Sequence, residues 1–165
     1  MAAIRSASDG DVAGIQCVAR TTWHATYDDI LGPQAVDAQV DEWYGDAVIT
    51  GSIDGDRTVY LVATVEERVV GYAAAGPTDD GGDAATLHAI YVLPDHWGEG
   101  IGSRLFENVR ERLQERDFDR LRIHVLAENE RGRQFYERHG FTVADHDQVD
   151  LAGERVAEVT YAGAI

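Results

Sequence analysis

The segment from Leu87 to Leu105, LHAIYVLPDHWGEGIGSRL, constrains the fold more than any other part of the chain. An apolar run rich in β-favouring residues ends at Pro94, a loop with spaced glycines follows, and apolar residues recur every four positions from Ile101 onward. This order predicts a strand, a glycine loop and an amphipathic helix. Glycine permits positive φ and close backbone approach, and the first N–H groups of a helix favour an anion. The segment therefore predicts a phosphate site.

Two common phosphate motifs do not describe this loop. The dinucleotide fingerprint G-x-G-x-x-G matches at Gly98 and Gly100, but Ser103 stands at the third glycine. An NAD-binding domain is also disfavoured because a single strand–loop–helix unit stands in mid-chain without its partner half. The other phosphate-loop signature requires a lysine, and the chain contains none.

The loop instead resembles the pyrophosphate loop of the GNAT superfamily, the acetyl-CoA-dependent N-acetyltransferases. In that family [Q/R]-x-x-G-x-[G/A] follows a strand ending in V-x-P, and here VLP at 92–94 precedes WGEGIG at 97–102. A second family pattern, N-x(5–6)-[FL]-Y-x-x-x-G-F, is similar to Asn129 followed by FYERHGF at 135–141. The likeness extends from Ile4 to about Tyr161. It implies one domain over 1–165 with an α/β (α+β) fold, in which a mixed, mostly antiparallel sheet of 6–7 strands is flanked by about four helices.

The resemblance also implies a ligand and its contacts. Acetyl-CoA would be the acyl donor, with its pantetheine arm along 90–92 and its carbonyl polarised by a backbone N–H of Tyr91 or Val92. Tyr136 matches the family tyrosine near the sulfur that acts as general acid, and Asn129 matches a position that contacts the pantetheine arm and can also cap a helix. The implied coenzyme-contacting residues are Tyr91, Val92, Trp97, Gly98, Glu99, Gly100, Ile101, Gly102, Ser103, Asn129 and Tyr136.

Three positions depart from the family pattern. Trp97 occupies the [Q/R] position, Glu99 precedes Gly100, and Thr86 stands where many relatives have a glutamate base. The general base therefore stays open between His88, which regular strand alternation puts on the face of Thr86, His24 on the first helix, and a water chain. Which basic side chain meets the diphosphate stays open among Arg104, Arg131 and Arg133.

The acceptor is expected to be a primary amine of a small molecule or peptide that attacks directly in a ternary complex. Trp23 and Tyr27 match a W-x-x-x-Y pair that lines the acceptor wall in relatives, although both could equally be core residues. Several aspartates would suit a cationic acceptor: Asp28, Asp29, Asp79, Asp80 and Asp83. The departures at Thr86, Trp97 and Glu99 also keep open a non-catalytic acyl-CoA-binding or sensing module.

The charge is strongly negative, since 30 acidic residues face 14 basic ones, for a net charge of −16. Such a chain disfavours nucleic-acid and anionic-membrane partners. The composition resembles that of halophilic, acidic proteins, in which concentrated salt screens the surface. At about 1 M salt the Debye length is roughly 3 Å, so that contact groups would decide the binding of an anionic coenzyme.

Other features limit the compartment and the chemistry. No long apolar run or signal-peptide core is present, which predicts a cytoplasmic protein. Cys17 is the single cysteine, so that no disulfide can form within the chain, and it is predicted to be buried on the first helix. The histidine spacings predict no metal site. Edge strands within 141–162 leave a homodimer open.

The pattern along the chain gives the expected element order β-α-α-β-β-β-α-β-α-β-β. A turn is expected at 54–55, and Gly140 is expected to end the last helix. The expected strands are 3–5, 59–65, 69–75, 87–93, 120–126, 141–144 and 155–162, and the expected helices begin near 9, 33, 101 and 130 and end near 26, 43, 115 and 139.

Overall fold

The computed structural model describes residues 2–78, 84–151 and 153–165. These residues form seven strands and five α-helices. The strands are β1 (Ala3–Ser6), β2 (Val59–Val65), β3 (Arg68–Pro77), β4 (Ala84–Val92), β5 (Arg120–Leu126), β6 (Thr142–Leu151) and β7 (Glu154–Ala164). The helices are α1 (Val12–Leu31), α2 (Pro33–Trp43), α3 (Asp46–Ile53), α4 (Ile101–Glu115) and α5 (Glu130–Arg138).

One mixed sheet organises the domain, with the strand order β1-β2-β3-β4-β5-β7-β6. The pairs are antiparallel except for β4 and β5, which run parallel. This sheet confirms the predicted mixed, mostly antiparallel architecture. The prediction of about four helices was one helix short.

The two faces of the sheet carry separate cores. On one face α4 buries an apolar stripe in which Leu105 and Val109 are fully shielded from solvent. On the other face Ile15 and Ala19 of α1 pack with Ile49 of α3. A helix with apolar residues at intervals of three and four presents one such stripe, so that the sequence periodicity sets which side of each helix meets the sheet.

The first helix extends beyond its predicted end near residue 26. Helix α1 continues to Leu31 and ends at Gly32, whose φ of +91° precedes Pro33 at the start of α2. Asp11 precedes α1, but its carboxylate accepts hydrogen bonds from Arg5 and from the Ser8 N–H. The prediction of a buried Cys17 was wrong, since this residue is exposed on α1.

Two elements owe their form to tertiary contacts. Helix α3 was not predicted, because β-branched residues and Gly51 weaken its helical signal, yet Ile49 buries against α1 and stabilises it. Strand β6 extends to Leu151, far beyond the predicted end at residue 144. Most of its side chains are exposed and polar, so pairing with β7 rather than an apolar pattern defines it.

Strands β4 and β5 separate halfway along their length, and this separation positions the site. Their parallel pairing covers Ala84–Leu87 against Arg120–Ile123, although β4 continues to Val92 and β5 to Leu126. The separation begins where β4 carries a bulge, because Ala75 pairs with Leu87 while Ala74 pairs with Ala89. A V-shaped gap therefore opens at the carboxyl end of β4.

Within the described ranges, no helix is long and apolar enough to cross a membrane.

Candidate active site

A cleft of about 420 Å³ occupies the gap between β4 and β5. Residues 87–92 form one wall, and His124 and Val125 of β5 lie opposite. The glycine loop before α4 closes one end, and residues of α1 and α5 complete the other walls. The volume lies in the range of small-molecule and cofactor sites, so this gap is the natural place for a ligand.

The loop end of the cleft is built mainly from backbone. Gly98 and Gly100 have φ values of +82° and +81°, and a Cβ on either would meet no atom within 4 Å. Helix α4 begins at Ile101, so the N–H groups at 101–103 belong to its first turn and have no partner four residues earlier. Open space beside these donors and the positive end of the helix dipole favour an anionic group.

Trp97 and Arg131 contact each other at the same end of the cleft. The Trp97 indole N–H donates to the Val92 carbonyl oxygen at 2.7 Å, which ties the loop to the end of β4. The Arg131 guanidinium lies 3.9 Å from the centre of the Trp97 ring, within the range of a cation–π contact. A side chain on α5 thus brings a positive charge to a loop whose own residues include Glu99.

The other two arginines considered for the diphosphate have different partners. Arg104 donates to the Ala2 carbonyl oxygen at 2.6 Å, and Arg133 donates to the Tyr161 hydroxyl at 3.1 Å. Neither is among the residues that line the cleft, whereas Arg131 is. Of the three, Arg131 is the one positioned to meet an anion in the cleft.

The lining of the cleft has a charge opposite to that of the molecule. Among the described residues that line it there is no Asp or Glu, although the chain carries 30 of them. The ionisable lining side chains, the tyrosines aside, are basic or neutral: His88, His96, His124, Arg131 and Arg138. No carboxylate of the described lining therefore adds to the repulsion expected between a protein of net charge −16 and an anion.

At the end of the cleft away from the loop, three hydroxyl and amide groups lie close together. The Tyr27 and Tyr91 hydroxyls are 2.9 Å apart, and the Asn129 side-chain amide donates to Tyr27 at 3.4 Å. Asn129 also caps α5, because its side-chain oxygen accepts from the Gly132 N–H at 3.1 Å. These contacts join α1, β4 and α5 around one point.

Tyr136 lies on α5 and lines the same end of the cleft. Its side chain is largely buried, and burial raises the pKa of its hydroxyl because the phenolate would lose hydration. Burial raises the pKa of Tyr27 and Tyr91 for the same reason. All three hydroxyls therefore remain protonated near neutral pH and can donate hydrogen bonds.

Two histidines line the cleft where the strands separate. His88 is the extra residue of the β4 bulge, so the regular alternation assumed from Thr86 to His88 is interrupted there. His124 of β5 stands on the opposite wall, and its Nδ1 lies 2.9 Å from the Thr160 hydroxyl and 3.4 Å from Glu158 Oε1. Burial raises the pKa of Glu158, an effect that the nearby His124 opposes.

His24, the third histidine considered, is not among the lining residues. Its Nδ1 and Nε2 lie 2.6 Å from Asp28 and 2.8 Å from Asp37. Hydrogen bonds to these carboxylates raise the pKa of His24, since they favour the protonated ring. A histidine with both nitrogens bound in this way is poorly suited to accept a proton from a ligand in the cleft.

Most of the residues predicted for the site line this cleft. They are Tyr27, His88, Tyr91, Val92, Trp97, Gly98, Gly100, Ile101, Gly102, Ser103, Asn129 and Tyr136. Trp23 instead packs in the core against Tyr27 at 4.6 Å between ring centres, and Glu99 contacts His96 at 3.1 Å. Of the aspartates considered for a cationic acceptor, Asp28 binds His24, and Asp79, Asp80 and Asp83 lie outside the described residues.

The site includes residues that the sequence did not indicate. His124 and Glu158 come together only because β5 pairs with β7, and a single histidine on a strand carries no signal of its own. The contact between Arg131 and Trp97 likewise requires α5 to pack beside the loop.

In the described part of the chain, no three His, Cys, Asp or Glu side chains are grouped as a metal site would require.

Known proteins share this fold over the whole domain. The spermidine N(1)-acetyltransferase of Thermoplasma acidophilum is 24% identical over 159 residues, covering 94% of this chain and 97% of that protein. The crystal structure of the PaiA N-acetyltransferase from the same organism, in complex with coenzyme A, superposes with a TM-score of 0.89 at 21% identity, covering 100% and 99% of the two chains. The ribosomal-protein-S18-alanine N-acetyltransferase of Escherichia coli superposes with a TM-score of 0.76 at 22% identity, covering 100% and 94%.

A family model decides the assignment. The model of the acetyltransferase (GNAT) family matches residues 20–141, which is well over half of the chain. The matched segment contains β4, the glycine loop, α4 and α5, and hence most of the cleft. The chain therefore belongs to the acetyltransferase (GNAT) family.

Proposed function

We propose that this protein transfers an acetyl group from acetyl-CoA to a primary amine by direct attack within a ternary complex. One observation carries the proposal. A single cleft joins the glycine loop to Tyr136 and the two histidines, through the gap between β4 and β5. The same cleft can therefore hold a diphosphate at one end and an acyl group beside titratable side chains at the other.

The coenzyme fits what the loop offers. The N–H groups at 101–103 would hold the diphosphate, and Arg131 would supply the positive charge that the loop itself lacks. The backbone of β4 beyond Leu87 extends past its pairing with β5, so an extended pantetheine arm could pair with this edge in place of a strand. A backbone N–H near Tyr91 or Val92 would then polarise the acetyl carbonyl.

A histidine would remove the proton from the amine. An alkylammonium has a pKa near 10.4, so the attacking amine needs a base or a site that disfavours its charge. His124 is the better candidate because Glu158 and Thr160 hold Nδ1, which directs Nε2 to the proton-accepting role. His88 on the opposite wall is the second candidate. The absence of carboxylates among the described lining residues also favours the neutral amine.

Tyr136 would stabilise the departing sulfur by donating a hydrogen bond. Its raised pKa makes full proton transfer to a thiolate unfavourable, since a simple thiol has a pKa near 8.5. A donor hydrogen bond requires only that the hydroxyl stays protonated, and burial ensures this. We therefore assign Tyr136 to hydrogen bonding at the sulfur rather than to obligatory acid catalysis.

The acceptor belongs to the class of primary amines. A relative is named for spermidine and a structural neighbour for an alanine of ribosomal protein S18, so the proposal includes both small-molecule and peptide amines. Tyr27 would form part of the acceptor wall near the acyl group, because it lines the cleft and contacts Tyr91 and Asn129. Trp23 would support that wall from the core.

The test is coenzyme A release measured against a panel of polyamines, amino acids and N-terminal peptides. Turnover is expected on at least one amine, with an intersecting pattern of initial rates as direct transfer requires. Tight acetyl-CoA binding with no release on any amine would favour the alternative, a sensing module without turnover. No binding of acetyl-CoA in calorimetry would contradict both.

The same assay at about 0.1 and 2 M KCl tests adaptation to salt. The distant negative charges repel the coenzyme at low salt, and screening shortens their reach to a few ångström at high salt. Coenzyme affinity should therefore rise between the two conditions. A fall would mean that the contact with Arg131 dominates and that the acidic surface has no part in binding.

A further inference from the structure

A serine, a histidine and a glutamate are aligned behind the glycine loop. The Ser103 hydroxyl lies 3.2 Å from His139 Nε2, and His139 Nδ1 lies 3.7 Å from Glu107 Oε1. Ser103 lines the cleft in the first turn of α4, whereas His139 follows α5 and stands behind it. The ring of His139 is fixed between Phe106 and Phe135, with centres 4.9 and 4.5 Å away.

This arrangement makes the direction of one hydroxyl depend on one proton. A histidine ring nitrogen is either an acceptor or a donor, and the neighbour of the other nitrogen selects which. The Glu107 carboxylate favours a proton on Nδ1, so the neutral ring offers Nε2 as an acceptor to Ser103. In that state the Ser103 hydrogen points to His139, and only oxygen lone pairs face the cleft.

Protonation of the ring reverses this direction. An imidazolium donates from both nitrogens, so Nε2–H would donate to the Ser103 oxygen and the Ser103 O–H would turn toward the cleft. A hydroxyl donor suits a diphosphate, whereas a lone pair repels it. The added positive charge behind the loop acts in the same sense.

We propose that His139 is a positioning residue that controls coenzyme affinity by setting the direction of the Ser103 hydroxyl, so that binding of the diphosphate takes up a proton. The inference rests on the proposed function, because it assumes that the diphosphate lies at the glycine loop. It concerns a histidine that does not line the cleft and that acts only through Ser103.

The charges around His139 fix the sign of the pH dependence. Burial lowers the pKa of His139 below its ordinary 6.5, Arg110 from α4 and Arg138 from α5 lower it further, and Glu107 opposes them. A bound diphosphate would raise this pKa. Coenzyme affinity is therefore highest below the pKa that His139 has in the free protein. It falls as pH rises through the pKa that His139 has in the complex, by at most tenfold per pH unit for one proton.

The experiment is calorimetry with 3′-dephospho-coenzyme A between pH 5.5 and 8.0. This probe keeps the diphosphate and lacks the phosphomonoester, whose own pKa near 6 would mask the signal. We expect affinity to fall about fivefold to tenfold across the range, with proton uptake visible as a dependence on buffer ionisation enthalpy. We call this fall of affinity with pH the slope, and His139→Gln and Ser103→Ala should each abolish most of it.

The double variant separates positioning from packing. If His139 acts through Ser103, the His139→Gln change should have no further effect on affinity in the Ser103→Ala background. Loss of ring packing would instead lower the melting temperature without changing the slope. Glu107→Gln should move the fall in affinity to lower pH, because it removes the charge that favours the imidazolium.

Three results would overturn the inference and leave the proposed function intact. They are a flat slope in the unaltered protein, a slope that survives in Ser103→Ala, and a slope that is lost only in His96→Gln. His96 is the informative comparison because it lines the cleft beside the same loop but contacts Glu99. If neither dephospho-coenzyme A nor acetyl-CoA binds at any pH, it is the proposed function that fails.

Discussion

The two ends of the cleft are built in different ways. The loop end comes from one continuous stretch, residues 97–103, and presents mainly backbone N–H groups. The other end collects side chains from α1, β4, β5 and α5, as the contact between Tyr27 and Asn129 across 102 positions illustrates. The residues of the loop end are therefore neighbours in the sequence, whereas those of the other end come together only when the chain folds.

This difference explains which departures from the family pattern the site can tolerate. Backbone donors do not depend on the side chains that carry them, so Trp97 and Glu99 can replace other residues if a charge arrives from elsewhere, as it does with Arg131. The chemistry at the other end depends on side-chain identity. Thr86 cannot act as a base, so another side chain or a water chain would have to accept the proton. Variants at the two ends should accordingly separate turnover from coenzyme affinity.

The largest expected effect is at the end of the cleft away from the loop, where His124 is the proposed base. His124→Gln should lower kcat by about 10²- to 10³-fold, because a positioned base contributes that much to proton transfer, and should leave coenzyme affinity unchanged. Steady-state kinetics with calorimetry in parallel measure both quantities. His88→Gln is the matched comparison on the opposite wall. If His88→Gln causes the larger loss of kcat, then the base is His88 on β4. If neither variant lowers kcat, the result would favour a water chain.

A substitution in the loop should give the converse result. Gly100→Val should weaken acetyl-CoA binding by roughly 100-fold, because the new side chain enters the cleft and a φ of +81° strains it. Gly153→Val provides the control, since its φ is also +81°, its added Cβ also meets open space and it is not a lining residue. Both variants should lose about 1–2 kcal/mol of stability. Equal affinities in the two variants would contradict the proposed position of the diphosphate at the glycine loop.

Tyr136→Phe tests the hydrogen bond that we propose at the departing sulfur. Losing one hydrogen bond to a developing charge should lower kcat by about 10- to 100-fold and change the affinity for acetyl-CoA by less than threefold. Rapid-mixing kinetics at saturating substrates will show whether chemistry or release is slowed. A change below twofold would mean that Tyr136 contributes packing alone.

The smallest effect is expected for the charge brought to the loop by α5. Arg131→Gln should weaken coenzyme binding by about fivefold at 0.1 M salt and by less at 1 M, because screening reduces the contribution of a partly exposed charge. Arg104→Gln removes an equal charge from α4, where the side chain binds the Ala2 carbonyl instead of lining the cleft. If both variants bind equally weakly, net charge rather than contact explains the loss.

Sequence periodicity predicted the elements whose signal is local. The bounds of α2, α4, β2 and β5 agree with the expected residues because each contains a complete local signal, which is a continuous apolar run in β2 and a periodic apolar pattern in the other three. The loop end of the cleft could be predicted for the same reason, because its residues form one continuous sequence pattern. Helix α3 and most of β6 were not predicted, because packing and strand pairing decide them.

The end of the cleft away from the loop shows why its residues could not be predicted from the sequence. His124 is one of six histidines, and its partner Thr160 lies 36 positions away on a strand that pairs with β5 in a way no local pattern specifies. The bulge at residue 88 also breaks the alternation on which the sequence argument for His88 relied.

The separation of β4 from β5 has a consequence for solubility. A strand edge on the outside of a protein can act as a template for aggregation, and natural proteins commonly protect such edges with charge. The outer strand β6 follows this rule, with aspartates at 145, 147 and 150. The second half of β4 is protected in another way: its side that is not paired with β5 lines the cleft, which residues of α5 and the glycine loop also line.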